Sequence, residues 1–235
     1  MTEEHLIYGK HAAIACIKNK KRKVVDIFCT SKIFLELRDY ILSSNARFRV
    51  VENILLQKMT AGNLHQGIVI KVKRKSLLKI PKEARKIAIL DRVYDPNNVG
   101  AIIRSAVAFG FDTVVVAKDH AVIESGAVAK AASGSLEYIN CVIAVNLRNV
   151  ISQLKNNGFW IVGLDCKGES IVHTTLSEYD KLAVVLGSEG VGIRSLIKSS
   201  CDFLLKIDMK KEDVGSINVS NAAAIAFYES SKLRK

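Results

Sequence analysis

The stretch Ala183–Ser200, AVVLGSEGVGIRSLIKSS, decides how the chain is read. An apolar, β-branched run ends in three glycines, and a helix-like pattern follows. Strand, glycine loop and helix form an α/β arrangement in which backbone N–H groups and a helix N-terminus often meet a phosphate. The spacing here differs. Gly187, Gly190 and Gly192 give G-x-x-G-x-G, not the dinucleotide fingerprint G-x-G-x-x-G, in which each glycine has its own task. No G-x-x-x-x-G-K-[ST] phosphate loop occurs. Glu189 sets a carboxylate where a phosphate would sit, so the loop suits a cationic or hydroxyl-bearing ligand, or is a tight turn that holds none.

Around this stretch, β-like and helix-like segments alternate from Ile87 onward. Strands are expected at IAILDRV, TVVVA, NCVIAV, FWIVGLD, LAVVLG and FLLKID, and helices at Val99–Phe109, Ser125–Ser133, Leu147–Asn157, Gly192–Ser199 and Ile217–Lys232. Near-continuous apolar strands covered by helices imply a parallel sheet in an α/β layer. The first third reads as a smaller α/β unit. A helix at Gly9–Asn19 precedes the basic turn KKRK (Lys20–Lys23), then come the strand VVDIFCT and an amphipathic helix, SKIFLELRDYILSS, with Ser31 as its candidate cap. RFRVV and HQGIVIKV read as strands, and ENILLQKM as a helix. Residues 73–86, KRKSLLKIPKEARK, lack a sustained apolar period and read as a linker. The expected organisation is a basic unit over 1–72, a linker over 73–86 and a second domain over 87–235.

Charge follows the same division. Residues 1–86 hold 19 Lys and Arg against 7 Asp and Glu, and residues 87–235 hold 16 of each, so the net +12 lies wholly in the first third. Such polarity points to a module that attracts polyanions through counterion release, joined to a neutral one. The five cysteines are dispersed without a C-x-x-C pair and read as buried, reduced thiols of a cytoplasmic protein. The five histidines form no H-x-x-x-H or H-E-x-x-H pattern, so no metal site is expected. No apolar run is long enough to span a membrane, and the start MTEEHLIYGK is unlike a secretory signal.

Two further segments carry chemistry-bearing residues. In LDRVYDPNNVGAIIRSAVAFG, Pro96 sets φ in a polar turn, and Asn97 or Asn98 could cap the helix that follows. Arg104 lies among apolar and small residues, where a guanidinium must reach a partner: a substrate phosphate or another chain. In VGSINVSNAAAIAFYES, Ser216, Asn218, Ser220 and Asn221 precede an alanine-rich helix. A cap needs one such residue; the surplus suggests a polar pocket.

Together and in this order, DPNNVGAIIRSA, VLGSEGVGIRSL and GSINVSNAAAIAFYE resemble the SpoU (TrmH) family of RNA 2′-O-ribose methyltransferases, within the knotted SPOUT superfamily. YGKHAAIACI and HQGIVI resemble the two ends of the substrate-binding domain that many members carry. The likeness is nearest to the bacterial branch that methylates a guanosine of 23S rRNA. It implies an α/β fold in which a small substrate-binding domain precedes a parallel-sheet methyltransferase domain with a C-terminal trefoil knot. It implies S-adenosyl-L-methionine at Gly187, Ile207 and Ile217, and a site built from Asn98, Arg104, Glu189, Ser216 and Asn218. It further implies a homodimer in which Arg104 of one subunit lies near the other's cofactor. The same chemistry on tRNA and a non-enzymatic RNA-binding role are the alternatives. The chain departs from the pattern at Asp208, where members commonly have proline, and in the charged insert Lys210–Asp213, so a differently shaped connector is expected there.

Overall fold

A computed structural model describes residues 4–118, 123–171, 176–210 and 216–232. The chain builds two sheets in succession. The first contains β1 (Glu4–Tyr8), β2 (Val24–Cys29), β3 (Arg47–Val50) and β4 (Ile68–Lys73) in the order β1-β4-β2-β3. β4 runs antiparallel to both β1 and β2, and β3 lies parallel to β2. Helices α1 (Lys10–Lys18), α2 (Ser31–Ser43) and α3 (Asn53–Met59) connect them. β1 was not expected: EHLIY is too short to show an alternation, and it is pairing with β4 that makes it a strand. The cap of α2 is Thr30, whose hydroxyl accepts from Ile33 N, so Ser31 is already helical rather than the cap.

The second sheet has six strands, all neighbours parallel, in the order β10-β8-β9-β5-β6-β7. They are β5 (Lys86–Asp91), β6 (Thr113–Ala117), β7 (Asn140–Ala144), β8 (Trp160–Ser170), β9 (Leu182–Gly187) and β10 (Phe203–Lys206). Parallel neighbours require crossovers. α4 (Pro96–Ala108), α5 (Gly126–Ala131), α6 (Leu147–Asn156) and α7 (Ser195–Lys198) provide them, and α8 (Val219–Ser231) follows β10. Central strands β5, β6 and β9 are buried almost throughout, as their unbroken apolar runs require. All six strands expected after Ile87 are present, whereas the helix expected at Gly192–Ser199 is only the four residues of α7.

The two sheets share one continuous apolar core. Ile7, Ala13, Cys16 and Ile27 of the first part cluster with Val116, Ala132, Leu136 and Phe227 of the second. Residues 73–86 are laid against this frame. Leu77 N donates to Cys141 O at 2.7 Å and Ile143 N donates to Leu77 O at 2.9 Å, which adds a single parallel rung beside β7. Ala84 is buried. The basic turn is split by its packing: Lys20, Lys21 and Lys23 are exposed, while Arg22 is turned into the interior.

Candidate active site

The crevice outside the carboxyl ends of parallel strands is where open α/β sheets bind ligands. Here the ends of β8, β9 and β10 open into a cavity of about 350 Å³, lined by Gly187, Glu189, Ile207, Ser216 and Ile217 among others. Leu164, Leu186 and Leu205 supply an apolar wall and Asp165 a second carboxylate. Five of the eight residues singled out for the site therefore meet at one cavity.

The three glycines of the loop do different jobs. Gly187 ends β9 where the returning chain crosses it: a Cβ there would lie 2.1 Å from Gly192 C and 2.2 Å from Ile193 N. No side chain fits between those backbones. Gly190 and Gly192 instead supply positive φ, +80° and +73°, and face open space. Gly192 N donates to Ser188 O at 2.9 Å and closes the loop, which holds Glu189 outward. The glycines thus serve chain contact and turning, and all three also line the cavity.

Glu189 joins residues from two other elements. Its Oε1 accepts from Asn98 Nδ2 at 3.0 Å and from Asn218 Nδ2, and Asn218 Nδ2 also donates to Asn98 Oδ1 at 2.9 Å. The cap of α4 is Asp95, which accepts from Asn98 N at 3.0 Å, rather than Asn97 or Asn98. That leaves the Asn98 amide free to reach Glu189. Asn218 caps α8 through its Oδ1, which accepts from Ser220 N at 2.8 Å and Ser220 Oγ at 2.6 Å, so it caps and bridges at once. Glu189 and Asn218 are solvent-exposed and Asn98 is half-buried, and Glu189 carries the cluster to the cavity.

Arg104 stands apart. It is exposed on α4 and does not line the cavity. It lies six residues beyond Asn98, hence about 9 Å along the helix and roughly 120° around it. The face that presents Asn98 to Glu189 therefore directs Arg104 elsewhere. Beside it the α4–α8 pair exposes Ala108, Ile225 and Tyr228, with Tyr228 edge-on to Phe109 at 5.8 Å between ring centres.

Sequence reading missed the support beneath the loop. Asp91, wholly buried at the end of β5, accepts from Arg194 N at 2.9 Å and Arg194 Nε at 2.7 Å. This bidentate contact ties the loop after Gly192 to the sheet centre. An aspartate ending the run IAILD was the only signal, and nothing in sequence linked it to a residue 103 positions away. Asp165 was missed as well. Burial alone would raise its carboxyl, but the Lys198 ammonium and Lys167 N–H outweigh this and hold it below the usual carboxylate range. The thiols depart in part from expectation. Cys16, Cys29 and Cys141 are buried, whereas Cys166 is exposed at the cavity. Burial pushes Cys141 and Cys201 up to about 12, so both stay protonated. In the connector, Ser170 Oγ donates to the Asp208 carboxylate, tying the connector to the end of β8. Of the insert, Lys211 to Asp213 lie outside the described residues, as do Val214 and Gly215 of the third motif. Among the described residues, no cluster of metal-ligating side chains and no helix long and apolar enough to cross a membrane is found.

Comparison with known proteins gives concordant results. The SpoU rRNA Methylase family matches residues 85–228, and the family described as RNA 2′-O ribose methyltransferase substrate binding matches residues 6–78. The 23S rRNA (guanosine-2′-O-)-methyltransferase RlmB of Coxiella burnetii is 35% identical over 100% of this chain and 98% of its own length. The RlmB of Nitrosomonas europaea is 34% identical over 97% and 92%. The fold is shared with the SpoU methyltransferase AviRb from Streptomyces viridochromogenes in complex with AdoMet, at TM-score 0.79 and 21% identity, covering 97% of this chain and 89% of that one.

Proposed function

Because the chain belongs to the SpoU rRNA methylase family, we propose that it transfers a methyl group from S-adenosyl-L-methionine to the ribose 2′-hydroxyl of a guanosine in 23S rRNA. The observation that carries this reading is the meeting of Asn98, Glu189 and Asn218, from three separate segments, at the mouth of an apolar-walled cavity. The full-length likeness to two 23S rRNA methyltransferases supports the choice of substrate.

The cavity suits this cofactor. Its volume lies within the range of small-molecule sites. Its Leu164, Leu186 and Leu205 wall matches an adenine face, and the carboxylates of Asp165 and Glu189 suit ribose hydroxyls and a sulfonium. Lys167, Lys198 and Lys206 line the same cavity, and Lys198 pairs with Asp165, which leaves the Glu189 carboxylate at the glycine loop as the acidic group not paired with a cation among the described residues. Gly187, Ile207 and Ile217 would hold the adenosyl group. When bound, the cofactor supplies an electrophilic methyl to an attacking oxygen.

The remaining tasks fall to the protein. The 2′-hydroxyl must be aligned, its proton must pass to solvent as the oxygen–methyl bond forms and S-adenosylhomocysteine leaves, and charge developing on its oxygen must be stabilised. We assign Arg104 to that charge, as an electrostatic clamp on the 2′-oxygen or the adjacent phosphate. A guanidinium carries no lone pair free to take a proton and does not serve as a base. Since Asn98 and Arg104 point to different sides of α4, the clamp acts on the cavity of a second subunit. The exposed Ala108, Ile225 and Tyr228 beside it support a homodimer through this face. Glu189 and Ser216, which line the cavity, orient the ribose, with Asn98 and Asn218 holding Glu189. Residues 1–72 carry the RNA-binding charge, the linker runs through 73–86, and a trefoil-knotted methyltransferase domain spans 87–235, as family membership suggests. The enzyme works in the cytoplasm and without metal.

The test is methylation of 23S rRNA and of tRNA with labelled cofactor, followed by mapping of the product. A single 2′-O-methylguanosine in 23S rRNA is expected. Label confined to tRNA overturns the ribosomal assignment, and absence of cofactor binding overturns the enzymatic one.

A further inference from the structure

The inward turn of Arg22 creates a buried ionic cluster between the two sheets. The side chains of Arg22, Glu124 and Glu137 are 1%, 3% and 2% exposed. Arg22 Nη2 donates to Glu137 Oε1 at 2.7 Å and Nε to the same oxygen at 2.9 Å, while Nη1 lies 3.6 Å from Glu124 Oε2. Around this fork, Asn19 Nδ2 and Cys16 Sγ donate to Glu137 at 2.7 and 3.2 Å.

The segment that joins the sheets enters the same cluster. Lys75 N donates to both Glu124 oxygens at 2.9 and 3.0 Å, and Lys75 Nζ donates to Glu137 O at 3.0 Å. Arg22 Nη1 donates to Lys73 O at 3.0 Å. Two cations and two carboxylates are thus balanced, with contributions from the first unit, the connecting segment and the second unit.

The apolar core shared by the units holds them together through many non-directional contacts. A guanidinium fork on a buried carboxylate has one geometry, and any shift would leave charges unpaired in the interior. Relative motion is the ordinary expectation for units joined by a small interface, and a large apolar one opposes it. Here the ionic cluster adds a buried, directional constraint beside the shared apolar core.

We propose that this cluster is a latch that fixes the basic unit against the catalytic unit and so selects which nucleotide of a bound RNA reaches the methyl site. Arg22 and Glu137 are its positioning residues. This rests on the methyltransferase reading above. RNA gripped by the basic unit presents its ribose at a distance set by that unit's placement, and a misplacement of about 1 Å is enough to cost about a hundredfold in rate.

The test uses the full chain with Arg22→Ala, and with Arg22→Met/Glu137→Leu. The second variant removes the pair together, a replacement buried sites commonly tolerate, and leaves Glu124 with Lys75. Three measurements are made: protease cleavage within residues 76–85, affinity for S-adenosylmethionine, and the mapped position of the 2′-O-methyl on 23S rRNA. Faster cleavage is expected, with cofactor affinity unchanged. Methylation at the wild-type nucleotide should fall by about a hundredfold, and product should spread to neighbouring nucleotides. Arg22→Lys, which keeps the charge but loses the fork, should fall between. Wild-type site selection by a variant whose 76–85 segment has become cleavable would falsify the proposal. So would a parallel loss of cofactor affinity, which would mark the cluster as a support of the catalytic unit alone. If the wild-type chain modifies no RNA, the functional reading fails by itself, and unchanged protection of 76–85 in Arg22→Ala then overturns the latch.

Discussion

At the junction of the two sheets, Arg22 and Glu137 lie buried and matched charge for charge. At the cavity, Glu189 and Asn218 are exposed and Asn98 half-buried, with one carboxylate shared by two amides. Both clusters draw together residues more than 90 positions apart. Burial makes the first costly to break, because an orphaned charge would remain in the interior. Exposure makes the second cheap to alter, because water can replace a lost partner. The first suits holding a geometry, and the second suits meeting a substrate.

The largest effect that probes this contrast is expected at Arg104. Arg104→Ala should lower methylation by about 10²–10³-fold, the scale for loss of a charge-stabilising donor, with no change in melting temperature. Arg104→Lys should fail nearly as badly if the planar fork matters, and near-wild-type turnover by the lysine variant would show that charge alone suffices. Gly187→Ala should destabilise the fold by roughly 3 kcal/mol, because the added methyl meets backbone that cannot move aside; urea unfolding measures this. Glu189→Gln sharpens the exposed side of the comparison. Stability and cofactor affinity should hold while turnover falls by about 10²-fold, and equal losses of affinity and turnover would place Glu189 on the cofactor instead.

Smaller effects follow. Gly190→Ala has room for its methyl but must adopt φ near +80°, so a loss of about 1–2 kcal/mol is expected, without loss of turnover per folded molecule. The smallest effect is one of pH. Burial would raise the Glu137 carboxyl, but hydrogen bonding and charge from Arg22 outweigh it and hold it below its ordinary value. A carboxyl lowered by folding stabilises at pH above its unfolded value, about 4.3, and that share is lost as pH falls through the folded value. Thermal unfolding below that pH should therefore weaken more steeply in the wild type than in Glu137→Gln. Equal slopes would remove the latch from the acid response.

Sequence patterning carried much of this architecture and stopped at identifiable points. Strands β5 to β10 were visible because a parallel strand buried on both faces is apolar throughout. EHLIY was not, because β1 owes its state to β4. Arg104 and the Ser216–Asn221 group stood out as polar residues beside apolar or alanine-rich runs, whereas Gly187, Ile207 and Ile217 entered the candidate site only through the family resemblance. The partners of those residues were hidden. Asp91 with Arg194, and Arg22 with Glu137, are long-range pairs that only the folded chain brings together. The excess charge of the first third misled in one respect: Arg22 looked like part of a polyanion-binding turn and is an internal contact.

The single rung that Leu77 makes beside β7 has a consequence for the behaviour of the protein in concentrated solution. A parallel sheet ends in strands whose outer N–H and C=O groups can recruit another chain. At one end of this sheet, β10 is only four residues long. At the other, Leu77 occupies Cys141 O and Ile143 N, the groups at the middle of β7. The segment between the two units thereby shields the sheet from edge-to-edge association. A Leu77→Pro chain, unable to donate from its backbone nitrogen, would expose that edge and aggregate at concentrations where the parent stays in solution.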